Sequence, residues 1–103
     1  MEVKPSFQEI IQSETPVLVD FYADWCGPCQ AMTPVITDFS SEMGELVKVI
    51  KINVDTNPAV ASTFNVRGIP TFIVFKNGEA VSRQSGMMPV AALRSMVEPH
   101  LVK

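Results

Sequence analysis

The sequence is poor in chemistry-bearing residues: its 103 residues include two cysteines, one histidine, one tryptophan and one tyrosine. A zinc site needs four ligands, and after Cys26 and Cys29 only His100 remains as a nitrogen donor, far along the chain. Covalent haem attachment needs histidine directly after the second cysteine, where Gln30 stands, and an iron–sulfur cluster usually takes four cysteines. No resident cofactor or metal is expected. The longest strongly apolar stretch, Ile69 to Phe75, contains Pro70 and Thr71 and falls well short of the roughly 18 residues a membrane span requires. Lysine and arginine form no cluster, which argues against nucleic acid or an anionic membrane as the main partner. The stretch from Met1 to Ser6 has neither a basic leader nor an apolar run ending in small residues, so a cytoplasmic protein is expected.

What is present points to one well-filled domain. The chain is 47% hydrophobic and 18% charged, with a formal charge of -3, which excludes intrinsic disorder. No repeat, linker or low-complexity tract divides it, so residues 1–103 are taken as a single domain.

The pattern alternates strands and helices. Ser6-Phe7-Gln8-Glu9 fits a capping box for a short helix to about Gln12. Pro16 marks a strand start, and Pro16 to Tyr22 is apolar on both alternating faces, as a strand covered on both sides should be, with Asp20 the exception. Met32, Val35, Ile36, Phe39 and Met43 recur at helical spacing from Cys29 onward, Pro34 should kink that helix, and Gly44 suits its end. Met32 and Met43 belong to its core stripe. Val47 to Val54 reads as a second buried strand, and Asn57-Pro58 as the start of a short helix to about Phe64. Thr71–Lys76 and Glu79–Gln84 flank Asn77-Gly78, a type I′ hairpin turn, and a last helix runs from about Pro89 to Leu101 with His100 solvated on it. The predicted class is α/β: a mixed sheet with helices on both faces. Periodicity leaves strand order open.

The two cysteines sit in Trp25-Cys26-Gly27-Pro28-Cys29, at the start of a helix. As a staple this pair is weak, because a four-residue loop removes little chain entropy, about 2 kcal/mol against about 3 for fifteen residues. It is well placed for thiol–disulfide exchange, since each sulfur stays within reach of the other. Cys26 precedes the first helical turn, where unpaired N–H groups stabilise a thiolate, so it should attack; Cys29, one turn in, should be the more buried.

Val19 to Cys29, followed by Pro34, Lys51, Gly68-Ile69-Pro70-Thr71 and Gly86, resembles the thioredoxin family nearly from end to end. The resemblance implies a central mixed sheet flanked by helices and a dithiol that reduces protein disulfides. It makes Cys26 the nucleophile and Cys29 the resolving thiol, and places Gly27-Pro28 in the reducing branch, whereas oxidising relatives usually carry histidine before the second cysteine. Ile69-Pro70 matches the family's cis-proline corner, so Ile69 should pair its main chain with an extended substrate. Trp25, Gly27, Pro28, Ile69, Pro70 and Gly86 would then form an apolar docking patch, although Trp25 taken alone fits the core equally well. The implied partners are disulfide-containing proteins and a separate thioredoxin reductase, since the chain has no nucleotide-binding glycine motif. A monomer is implied.

A carboxyl in an apolar strand is costly unless paired or protonated. Asp20 is therefore expected to relay the Cys29 proton through water, with Lys51 tuning its pKa; a carboxylate facing solvent is the plain alternative. Tyr22 stands where many relatives have tryptophan, and Ser85-Gly86-Met87-Met88 puts two methionines near the site, to adapt to partners, to be oxidised, or simply to pack. Two other functions compete with a reductase. One is a binding subunit that docks a larger enzyme with no exchange; the other is an oxidase or isomerase of an oxidising compartment, disfavoured by Gly27-Pro28.

Overall fold

The computed structural model describes residues 6–103, so the leader reading of Met1 to Pro5 lies outside the described residues. The order is α1 (Phe7–Ile11), β1 (Val17–Tyr22), α2 (Gly27–Ala31), α3 (Thr33–Met43), β2 (Lys48–Asn53), α4 (Pro58–Thr63), β3 (Thr71–Lys76), β4 (Glu79–Ser85) and α5 (Val90–Val97). Four strands form one sheet in the order β2-β1-β3-β4, with β1 parallel to β2 and the other pairs antiparallel.

The two central strands are those with unbroken apolar sequence. β1 and β3 are buried along all but their last residue, because both of their faces carry helices. On one face Leu18, Phe72 and Val74 pack with Met32, Phe39 and Met43 from the α2–α3 segment and with Leu93 and Val97 of α5. On the other, Val17, Val19, Phe21, Ile73 and Phe75 pack beneath α1 and α4. There Phe7, Phe64 and Phe75 form a ring cluster with centroids 4.9–5.7 Å apart. Helices on both faces of a mixed sheet are as expected.

Three boundaries differ from the sequence reading. β2 is not a buried strand: Val47 beside it is buried, but Lys48 and Lys51 are exposed and the rest half-buried, because β2 lies at a sheet edge among the described residues. Lysine on an edge strand also discourages pairing with another chain. The helix after the cysteines is two helices broken at Met32, where Pro34 has no N–H to return to the Gln30 carbonyl. The last helix ends at Val97, followed by a 3-10 turn over Glu98–His100, because Pro99 cannot continue it; His100 is half-buried and its carbonyl accepts the Lys76 ammonium at 2.7 Å.

Local signals hold elsewhere. The Ser6 hydroxyl accepts the Glu9 N–H at 3.2 Å. Gly44 ends α3 at φ 54, and Asn77 and Gly78 have φ 53 and 83, as a type I′ turn needs. That turn is tied to the segment after α1 by N–H bonds from Asn77 to the Ser13 carbonyl and from Gly78 to the Ile11 carbonyl, 2.8 and 2.9 Å.

A Cβ at Gly78 would meet only the far end of the exposed Gln12 side chain, which can move, but its φ of +83 is one that L-residues avoid. Gly78→Ala should therefore lower unfolding free energy by about 1–2 kcal/mol in urea titration with no change in m-value.

Candidate active site

β1 ends at the surface after Tyr22, and its continuation turns at Ala23, whose carbonyl accepts the Cys26 N–H at 3.2 Å. Cys26 then takes the N-cap position of α2 with extended backbone, and Pro28, which needs no hydrogen-bond partner there, pre-sets the first turn. The Cys26 sulfur accepts the Cys29 N–H at 3.1 Å, as a capping serine oxygen would. The two cysteines form a disulfide with Cα atoms 5.2 Å apart.

The expected burial contrast is absent in this oxidised form. Cys26 is 4% exposed and Cys29 5%, so neither sulfur is the open one. The cap geometry draws the Cys26 sulfur inward over the helix start, and Ala23, Tyr22, Val54 and Ile69 close around the pair. Ile69 is brought there by a cis Ile69-Pro70 peptide. The Thr71 hydroxyl donates to the Gly68 carbonyl at 2.6 Å, and the Gly86 N–H to the Pro70 carbonyl at 2.8 Å, which ties the β4 end to this corner.

Of the six residues expected around the pair, Trp25, Gly27 and Pro28 are exposed, Ile69 and Gly86 are half-buried, and Pro70 is buried beneath them. Nothing lies within 4 Å of where a Cβ would sit on Gly27 or Gly86, so both leave open space above the site. Trp25 is surface, not core, at 72% exposure, with its indole N–H bonded to the Asp55 carboxylate at 2.9 Å. Asp55 was not singled out from the sequence. The available signal was that a tryptophan N–H needs an acceptor and that an acid follows the end of β2.

Asp20 sits on the face of β1 that carries Leu18, flanked in register by Lys51 of β2 and Phe72 of β3. It is 2% exposed and its Oδ1 has no hydrogen-bond partner, which removes the solvent-facing alternative. Burial raises its pKa from 3.8 to about 6, with the Lys51 ammonium pulling the other way. Lys51 makes no ion pair with it within 4.0 Å; its ammonium instead lies 4.6 Å from the centre of the Tyr22 ring. A cleft of about 200 Å³, lined by Tyr22, Cys29, Gln30, Thr33 and Lys51 among others, opens from solvent towards Cys29. It has room for water beside Cys29.

Comparison with known proteins agrees with this geometry. The Thioredoxin family model matches residues 1–99. The chain is 44% identical over 94 residues to thioredoxin 1 of Synechococcus elongatus, covering 91% of this chain and 88% of that one. It is 45% identical over 97 residues to the Synechocystis thioredoxin, covering 93% and 91%. The crystal structure of oxidised mitochondrial thioredoxin 3 from Saccharomyces cerevisiae superimposes with a TM-score of 0.80 at 32% identity, over 87% of this chain and 84% of that one.

The chain belongs to the thioredoxin family. It has the thioredoxin fold and is a protein-disulfide oxidoreductase whose redox-active pair is Cys26 and Cys29. Among the described residues, no helix is long and apolar enough to cross a membrane.

The buried carboxyl gives this thioredoxin-family chain a pH-dependent stability. Unfolded Asp20 ionises near 3.8 and the folded group near 6. Between those values the folded state holds a proton that the unfolded chain has lost, so stability falls as pH rises through the interval. Above it the folded state carries the whole cost, about 3 kcal/mol. Asp20→Asn should remove the fall between about pH 4 and about pH 6 and leave the protein about 1–3 kcal/mol more stable at pH 7, read from unfolding curves across pH. A variant with the parent's slope would show that another group causes it.

Proposed function

We propose that the chain is a single-domain, monomeric, cytoplasmic reductant of protein disulfides, recharged by a separate thioredoxin reductase. The observation that carries the reading is the capped cysteine pair: the Cys29 amide donates to the Cys26 sulfur, a position from which it would stabilise a thiolate once the disulfide is opened. In the reduced protein the Cys26 thiolate attacks one sulfur of a substrate disulfide. That bond breaks, the departing substrate thiolate takes up a proton, and Cys26 is left in a mixed disulfide. Cys29 gives its proton to Asp20 through water and attacks the Cys26 sulfur, breaking its bond to the substrate. The substrate leaves with both cysteines reduced, and the protein is left as the disulfide seen here. Two electrons from the reductase restore the dithiol.

Asp20 suits the relay because a carboxyl titrating at about 6 can both accept and return a proton near neutrality. Lys51, aligned with it across β1 and β2, keeps that value from rising further. Trp25, Gly27, Pro28, Ile69, Pro70 and Gly86 form the substrate face. An extended segment laid along Ile69 gains main-chain hydrogen bonds that are largely indifferent to its sequence. Gly27-Pro28 between the cysteines supports the reducing direction.

Cys29→Ser should accumulate stable mixed disulfides with insulin or another disulfide-bonded protein, while Cys26→Ser forms none; trapping by both variants alike would reverse or void the assignment. The couple itself, equilibrated in dithiothreitol buffers and scored by alkylation, should lie near the general figure for thioredoxins, about 90 mV more reducing than protein disulfide isomerase. Asp20→Asn should slow resolution of a preformed mixed disulfide at pH 7 by at least about tenfold and erase the inflection near pH 6 in its rate profile. An unchanged profile would exclude the relay.

A further inference from the structure

The two bonded cysteines are buried, while one methionine stays open to solvent. Of the methionines among the described residues, Met32, Met43 and Met96 are 1%, 7% and 6% exposed, and Met88 packs against the α3–α5 core. Met87 is 58% exposed. Its position is not that of a loose loop residue. Gly86, immediately before it, takes φ +95 and bonds the Pro70 carbonyl, and Ile69 on the other side of that proline packs on the cysteine pair. Met87 and Trp25 are therefore two large exposed apolar side chains on segments joined to the site, one following the Gly86 that bonds the cis-proline corner and one directly before Cys26.

We propose that Met87 is a peroxide-sensitive contact for substrate: its thioether packs against an apolar segment flanking the target cysteine, and its oxidation to the sulfoxide weakens protein docking without altering the Cys26–Cys29 couple. The proposal rests on the reading that substrates dock around Cys26. A flexible, polarizable thioether adapts to varied apolar partners, whereas a sulfoxide presents a strong dipole to them. The chemistry is a two-electron transfer. A sulfur lone pair attacks a peroxide oxygen, the O–O bond breaks as the S–O bond forms, the methionine is oxidised, and the peroxide is reduced to water. The disulfide form suits this step, because its bonded and buried cysteines do not compete for the oxidant. A methionine sulfoxide reductase reverses it.

The test uses the full chain as the disulfide, treated with limiting hydrogen peroxide and mapped by mass spectrometry of its peptides. One oxygen should appear on Met87 ahead of Met32, Met43, Met88 and Met96. After re-reduction with dithiothreitol, kcat/KM for insulin should be roughly five- to tenfold lower, chiefly through KM. Turnover of a small aryl disulfide, which has no flanking peptide, and the reduction potential should both be unchanged. Met87→Leu, compared with its own untreated activity, should lose nothing on peroxide treatment, and Met87→Gln should carry the docking defect without peroxide. Earlier oxidation of Met32, Met43, Met88 or Met96 would overturn the proposal, as would unchanged kcat/KM for insulin after oxidation of Met87. Equal loss with insulin and the small disulfide would place the damage at the cysteines and also overturn it. If the untreated protein reduced the small disulfide but not insulin, the docking reading itself would fail and Met87 with it, a result that needs no peroxide and so separates the two failures.

Discussion

A single hydrogen bond, from the Cys29 amide back to the Cys26 sulfur, joins the reaction to the framework. It requires Cys26 at the N-cap of α2, and so requires the helix to begin where β1 ends. Because β1 is clamped between β2 and β3 and covered on both faces, its end is among the most rigid places from which to hang a reactive group. The break at Met32 separates α2, which carries the cysteines, from α3, whose Ile36, Phe39 and Met43 pack in the core. Ile69, far away in sequence, packs on the cysteine pair, and Gly86 is tied to that corner through the Pro70 carbonyl.

Asp20 shows the cost of that arrangement. Every other residue of β1 up to Phe21 is an apolar one that gains from burial, while Asp20 loses by it and has an oxygen with no partner. The Lys51 ammonium offsets part of the loss at a distance and stays on the Tyr22 ring. A closer ion pair would stabilise the fold more and would also hold the carboxyl ionised, useless as a resting place for a proton at neutral pH. An isolated carboxyl in the core is the less stable choice and the more reactive one.

Much of this was legible in the chain because the signals were local. The Asn77-Gly78 turn, the Gly44 helix end, the unbroken apolar β1 and the helix opening at the cysteines all follow from residue type and spacing. Position in the sheet was not local. Val47 to Val54 has the composition of a covered strand, and its edge position depends on which strands pair, which alternation along one segment cannot encode. The nearly equal burial of the two cysteines arises from side chains on three other segments folding over the pair. Pro34 marks its kink from residue type alone, whereas the apolar spacing that runs on to Leu101 masks the break that Pro99 makes after Val97. The Trp25–Asp55 bond spans 30 residues and needed the fold to bring its ends together.

That bond also makes Trp25 an optical gauge. It is the sole tryptophan of the chain, it neighbours the redox pair in sequence, and its indole is held by a carboxylate at one edge with most of its surface in water. The chromophore is therefore anchored at one edge and open to anything that docks around it. Emission from the unlabelled protein carries two readings at once, the state of the neighbouring disulfide and the arrival of a partner.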